Sequence, residues 1–502
     1  MITLTASLAT AIALPGCAAA ADVRPPAVAG TFYPNDTKQL EGAVKGFLAD
    51  AIPPKGERPV AIVAPHAGYL FSGQIAADAF RQALPYPVDV VVILGTNHTT
   101  PPFDGVSVYQ GTGYQTPLGV VKIDQEIADA LRAADSAFAF RPSAHAKEHS
   151  EEVQVPFVQI AFPKARIVTA VIGSSDPRLA ARFGAALGRV LDGRNALIVA
   201  SSDLSHYPGY ADAVLTDRAT LKAVASLDPN ALTAAISTQE RMGRSNVVTC
   251  ACGEGPILAA MSAARILGAR RGVVVSYANS GDGLAGDSDR VVGYGAVIFT
   301  AGSGSSDVSA LDPPVVAPKS ASLTAADRKA LLSIARKTLE RWYRTGTLPL
   351  PRSDSPALRR NQGAFVTLNI RGQLRGCIGH MAEDTPLVVN VAKMAMEAAM
   401  HDPRFNPVRA DELASIEVEV SVLTPMSRVA GPAAIQVGRD GVLIEKAGRR
   451  AVFLPQVAPE QGWNREQMLE NLCEKAGLAG DCWTKDAAFY TFQADVFGEK
   501  KD

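Results

Sequence analysis

Five of the seven histidines (66, 98, 145, 149 and 206) fall between His66 and His206, and a Cys-x-Cys pair follows at Cys250 and Cys252. Imidazole and thiolate suit copper, iron or zinc and are poor ligands for magnesium or calcium. His66, His98 and Cys252 make one such set, two nitrogens and a sulfur. Pro256 is placed to open a helix just after Cys252, and the dipole of that helix favours the thiolate that a metal needs. Read singly, each signal has a plain alternative. A histidine after a strand is often structural, and Cys250 reads as core packing or as a resolving thiol. A rival motif is His145-Ala146-Lys147-Glu148-His149, the H-x-x-E-H spacing of some zinc proteases. It needs both histidines on one helix face, and Pro156 limits any helix there.

The candidate ligands need elements to position them. Apolar runs at 60–64, 88–94, 166–172, 196–200, 272–278 and 291–300 are rich in Val, Ile and Ala, as strands buried on both faces are. Helix-like stretches at 73–83, 125–134, 177–191, 210–226 and 256–267 alternate with them. This order predicts an α/β fold with a mostly parallel sheet. His66, His98 and the Ser201-Ser202-Asp203-Leu204-Ser205-His206 cluster each follow a predicted strand. The crevice beyond the carboxyl ends of such strands is where ligands bind.

A chain of 502 residues is too long for one core. Residues 301–322 are rich in Gly, Ser, Pro and Ala and read as a flexible linker between two domains, 23–300 and 323–497. In the second, 325–345 and 387–400 read as helices, the first capped by Thr324, and 363–370 and 416–423 as strands. That is an α+β pattern. Its chemistry-bearing motif is Leu374-Arg375-Gly376-Cys377-Ile378-Gly379-His380, where Arg375 could activate the Cys377 thiol. A tight turn needing small residues is the plainer reading. Lys plus Arg total 49 against 50 for Asp plus Glu, which gives no pull toward nucleic acid. Residues 1–22 are a short apolar leader containing Leu14-Pro15-Gly16-Cys17, which predicts export to the periplasm, with a possible lipid anchor at Cys17. If the leader is not a signal, the protein is cytoplasmic.

The motifs Arg24 to Pro34, Ala64-Pro65-His66-Ala67-Gly68-Tyr69, Leu94 to His98, Thr116 to Gly119, Glu148-His149-Ser150, Gln154 to Phe157, Ser201-Ser202-Asp203, Ala251-Cys252-Gly253 and Val292 to Gly295 occur in an order that resembles the Memo family. Thr96 stands where that family commonly has proline, and Phe71 where it has tyrosine. The resemblance implies a fold similar to the extradiol ring-cleaving dioxygenases and a copper or iron ion, zinc being possible, on His66, His98 and Cys252. It places His149, Asp203 and His206 in the same pocket, to orient ligands and move protons. Leu374 to Gly379 and Asp402 to Phe405 resemble the AMMECR-type domain. The pair implies proteins B and A of the AmmeMemoRadiSam system fused in one chain, with a radical SAM protein as partner. The expected function is a metal-dependent oxidoreductase acting on a small molecule or peptide. Alternatives are a copper-sequestering protein without turnover, and a scaffold for the radical SAM partner.

Overall fold

The computed structural model describes residues 22–499, apart from 287, 313–315 and 319–321. The leader and Cys17 lie outside the described residues, except Asp22 at the leader's end. The first domain is built on a seven-stranded sheet. Its strands are β1 (Pro59–Ala64), β2 (Val90–Thr96), β3 (Val106–Val108), β4 (Arg166–Ile172), β5 (Ala196–Ser201), β6 (Arg271–Asn279) and β7 (Gly293–Thr300), in the order β3-β4-β2-β5-β1-β7-β6. The central neighbours β4, β2, β5 and β1 run parallel. The flanking pairs β3–β4, β1–β7 and β7–β6 are antiparallel. The sheet is therefore mixed rather than mostly parallel, because apolar runs reveal buried strands but not their direction. Every residue of β7 is buried; since side chains alternate between faces, both faces are covered there.

Helices α1 (Thr37–Asp50), α2 (Tyr69–Arg81), α3 (Gln125–Ala134), α4 (Pro177–Val190), α5 (Tyr210–Ala225) and α6 (Glu254–Ile266) surround this sheet. Helix α2 lies over β1, β6 and β7, and α6 over β1, β2 and β5. Helices α4 and α6 come close at Gly184, where an added Cβ would sit 2.4 Å from the Ala259 carbonyl oxygen. The linker is not wholly free. Asp307 pairs with β6 through Gly272 and Val274, and Leu311 is buried in the first core.

The second domain opens on α7 (Ala325–Thr345), where Thr324 and Asp327 form a reciprocal cap. Its strands are β8 (Ala364–Ile370), β9 (Gln373–His380), β10 (Ile416–Leu423), β11 (Ser427–Val429), β12 (Gly441–Lys446), β13 (Arg449–Phe453), β14 (Ala488–Phe492) and β15 (Ala494–Gly498). They form two antiparallel sheets, β9-β8-β10-β15 and β11-β14-β12-β13. Helix α8 (Leu387–Met400) covers the first sheet, and α9 (Arg465–Lys475) packs on the second through a small separate core. A disulfide joins Cys473 to Cys482 in that core. Arg341 and Arg352 tie the domains together, pairing with Asp50 and Asp78. Among the described residues no helix is long and apolar enough to cross a membrane.

Candidate metal centre

Three adjacent strands deliver three polar clusters to one crevice. β1 ends one residue before Pro65-His66, β2 ends just before Asn97-His98, and β5 leads into Ser202-Asp203. Cys252 arrives from the other side, just ahead of α6. Gly253 permits that approach, since a Cβ there would lie 2.4 Å from the Ser201 carbonyl oxygen. Its backbone N–H donates to Ser202 Oγ at 2.9 Å.

Hydrogen bonds fix which imidazole nitrogen is offered. Ser201 Oγ donates its proton to the Ser150 carbonyl at 2.6 Å and accepts from Gln154 Nε2 at 2.9 Å. It lies 3.0 Å from His66 Nδ1. With its single proton spent, it can only accept from His66, so Nδ1 carries hydrogen and Nε2 keeps its lone pair. Glu148 does the same for His98, taking its backbone N–H at 2.7 Å and its Nδ1 at 2.8 Å. The same carboxylate accepts the backbone N–H groups of His149 and Ser150 and lies 3.4 Å from His149 Nδ1. Burial works to raise the Glu148 pKa, but the hydrogen bonds from His98 and Ser150 outweigh it and hold the carboxyl at about 2.

The rings of His66, His98 and His149 lie with centroids 4.5–5.4 Å apart. Their ligand atoms all fall within 4.8 Å of one another. His66, Asp203 and Cys252 form a second set by the same measure. His66 Nε2 is 3.2 Å from Cys252 Sγ and 4.0 Å from Asp203 Oδ2. The sequence-derived trio of His66, His98 and Cys252 thus straddles two sets that share His66. Burial, then the neighbouring imidazoles, pushes the His66 pKa well below the ordinary histidine range. Burial and His98 bring His149 to about 4. Imidazoles that keep the Nε2 lone pair, as His66 and His98 do, fit a metal at the usual nitrogen distance of about 2.0–2.1 Å.

The thiolate expected at the helix N-terminus is absent without a cation. Burial, then the nearby Asp203, raises the Cys252 thiol far above its ordinary value. Desolvation therefore outweighs the helix dipole, and a bound cation would be needed to reverse it. Asp203 accepts from the backbone N–H groups of His66 and Ala67, at 2.8 and 3.2 Å. Burial raises its pKa too. His206 lies outside both sets and faces the Leu204 carbonyl through Nδ1 at 3.1 Å. The cavity over these groups measures about 500 Å³ and is walled by Phe32, Phe71, Tyr207, Tyr294 and Arg290.

The protease motif does not form. The helix covers only Pro142–Ala146, and His145 is buried against Tyr114, Glu151 and Ser107, away from His149. Glu148 supports the histidines instead of facing substrate. Sequence reasoning missed that role, and those of Ser201 and Gln154. The available signal was three acidic residues (148, 151 and 152) running into an apolar stretch, all of them buried. Cys250 is fully buried. Cys377 lies on β9, in the second domain. The proposed activation by Arg375 fails, because that guanidinium is paired with Glu412. The cation near Cys377 is Arg404, and burial still raises the thiol pKa.

Residues 24–298 match the Memo-like protein family, and residues 332–497 match the AMMECR1 family. A MEMO1 family protein of Aquifex aeolicus is 38% identical over 283 residues, 55% of this chain and 99% of its own length. A MEMO1 family protein of Ignicoccus hospitalis is 36% identical over 290 residues, covering 55% and 98%. The crystal structure of an uncharacterized Pyrococcus horikoshii protein is 41% identical, with a TM-score of 0.33, covering 34% of this chain and 91% of that one. The chain belongs to the Memo family and carries an AMMECR1 domain C-terminal to its Memo domain.

Proposed function

We propose that the Memo domain is a metal-dependent redox enzyme, dioxygenase-like in using a ligand-poor metal open to substrate. One observation carries this reading: the imidazoles of buried His66, half-buried His149 and more exposed His98 bring ligand nitrogens within 4.8 Å of one another beside a cavity large enough for a small organic molecule or a peptide side chain. A bound copper or iron ion would supply one-electron chemistry and open coordination positions. The chain's own groups do the rest. Phe32, Phe71, Tyr207 and Tyr294 exclude water from one side of the substrate. His206, with Nδ1 turned to a carbonyl, presents Nε2 to accept a substrate proton. The Asp203 carboxyl, its pKa raised by burial, stands beside the cluster where it can exchange a proton with substrate. A sequestering protein has no use for a substrate-sized cavity, which favours turnover over storage.

We place the radical SAM protein of the AmmeMemoRadiSam system as partner, and the oxidising side of the membrane as the site of action. The Cys473–Cys482 disulfide supports the second point, since such bonds persist outside the reducing cytosol. The test is metal analysis of the full chain purified without oxygen, followed by oxygen uptake with a reductant. We expect a stoichiometric redox metal in the wild type and loss of both metal and uptake in His66→Ala. Stoichiometric metal retained by that variant would overturn the reading.

A further inference from the structure

Strands β6 and β7 are antiparallel neighbours, and such strands can be joined by a two-residue turn. Here residues 280–292 join them, and a connection of that length in a compact domain usually carries function. Its first part, Ser280–Gly286, touches both domains. Ser280, Ala285 and Gly286 wall the cavity over the histidines. Leu284, the only large apolar residue of Ser280-Gly281-Asp282-Gly283-Leu284-Ala285-Gly286, packs instead against the core of the second domain.

The arm between these contacts is braced. The Asn279 side chain accepts the Gly281 N–H at 2.9 Å. Asp282 accepts the Asn279 N–H at 2.8 Å and the Tyr210 hydroxyl at 2.6 Å, which ties the arm to α5. Gly286 folds back so closely that a Cβ there would lie 1.9 Å from the Ser280 carbonyl oxygen. A shift at Leu284 therefore reaches the cavity wall, because the chain between them has little slack. The strand that leads into the arm is held from the second domain as well. Ser276 on β6 donates to Asp78 at 2.6 Å, and Arg352 grips the same carboxylate. Leu350 packs in return against the first core.

We infer that the second domain positions one wall of the Memo cavity, with Leu284 as the positioning residue that transmits its hold, so that the cavity keeps its shape only while the two domains stay docked. This gives the AMMECR1 domain a task at the Memo cavity. It goes beyond the redox reading and holds whatever the cavity binds, with or without a metal.

The test uses the full chain stripped of metal, with diethyl pyrocarbonate as the probe. That reagent acylates neutral imidazoles, and mass spectrometry reads each histidine separately. His206 is the reporter, since it lines the cavity and bridges Val292 at the far end of the same connection. His401, exposed on the second domain, is the internal standard. Leu284→Ser should raise the His206 rate about fivefold or more relative to His401, and Leu284→Met should bring it back to within about twofold of the wild type. Arg352→Ala, which loosens the docking without touching the arm, should move the rate in the same direction. One measurement needs no substitution and survives if a variant fails to fold. In the wild type, the Gly281 and Gly283 amides should lose protection from hydrogen exchange at the same denaturant concentration as those of α7. Wild-type His206 reactivity in Leu284→Ser, alongside a lowered melting temperature, would reduce Leu284 to glue between domains and overturn the proposal. A rise in Leu284→Ser that Arg352→Ala does not share would overturn it too, by placing control in the arm alone. So would arm amides that exchange freely while α7 stays protected.

Discussion

At the scale of single residues, the centre depends on a carboxylate that touches no substrate. Glu148 is fully buried and accepts from the backbone N–H groups of His98, His149 and Ser150 and from His98 Nδ1. Glu148→Gln keeps the shape but replaces one acceptor oxygen with an NH2 group. Whichever way the amide turns, a donor then faces a donor, on the backbone or on the ring of His98. We expect Glu148→Gln to lose on the order of tenfold in Zn(II) affinity, and Glu148→Ala up to about a hundredfold, measured by calorimetric titration. Wild-type affinity in the glutamine variant would show that His98 finds its tautomer unaided. Acid should act on the same cluster. Burial and His98 hold His149 at about 4 in the folded protein, below its value of about 6.5 when unfolded. The unfolded chain takes the proton first, so this stability is present above pH 6.5 and drains away as the pH falls toward 4. Metal-free protein should lose roughly 2 kcal/mol from this group between pH 7 and pH 5. Thermal melts of His149→Gln should show a flatter slope, and an unchanged slope would exonerate the residue. The sequence made His66, His98 and Cys252 visible because of their types, and hid Glu148 because its role is set by what folds over it.

At the scale of elements, strand β2 and the loop 148–151 are clasped together. Ser150 Oγ donates to the Thr96 carbonyl and accepts the Thr96 N–H, both at 3.1 Å. A Cβ on Gly95 would lie 2.6 Å from that hydroxyl and 2.8 Å from Glu151 Oε2. Gly95→Ala should therefore lift the loop that carries Glu148 and His149, at a cost of about 1–3 kcal/mol. The expected result is weaker metal binding with an unchanged far-ultraviolet spectrum; full metal affinity would mean the loop has slack. Elements of this kind were easier to read than their contacts. The 125–134, 325–345 and 387–400 helices and the 166–172 and 416–423 strands stand where periodicity placed them. The reversed direction of β3 and β7 was not legible, since a buried apolar run looks the same parallel or antiparallel. Nor was the Cys473–Cys482 pairing, because spacing alone does not say which of six cysteines meet.

At the scale of the whole molecule, two arginines from the second domain reach into the first. Arg341 lies over the Phe47 ring at 4.3 Å and pairs with Asp50 at 2.6 Å. Arg352 grips Asp78 with two nitrogens, at 3.1 and 2.6 Å. Asp78 is fully buried, and it also accepts from the Ile52 N–H and the Ser276 hydroxyl. Helix α2, which carries Asp78, begins three residues after His66, so the clamp sits on an element that leads out of the centre. Breaking a buried pair from one side leaves a charge without its partner, which costs more than the pair contributes when intact. Arg352 is about one-third exposed, so water softens that penalty. Arg352→Ala should then destabilise the Memo domain by about 1–3 kcal/mol and split a shared calorimetric transition into two. Asp78→Asn should do much the same alone, and the two substitutions together should cost far less than their sum. Additive losses with a single transition would mean that the two domains fold side by side without this clamp joining them.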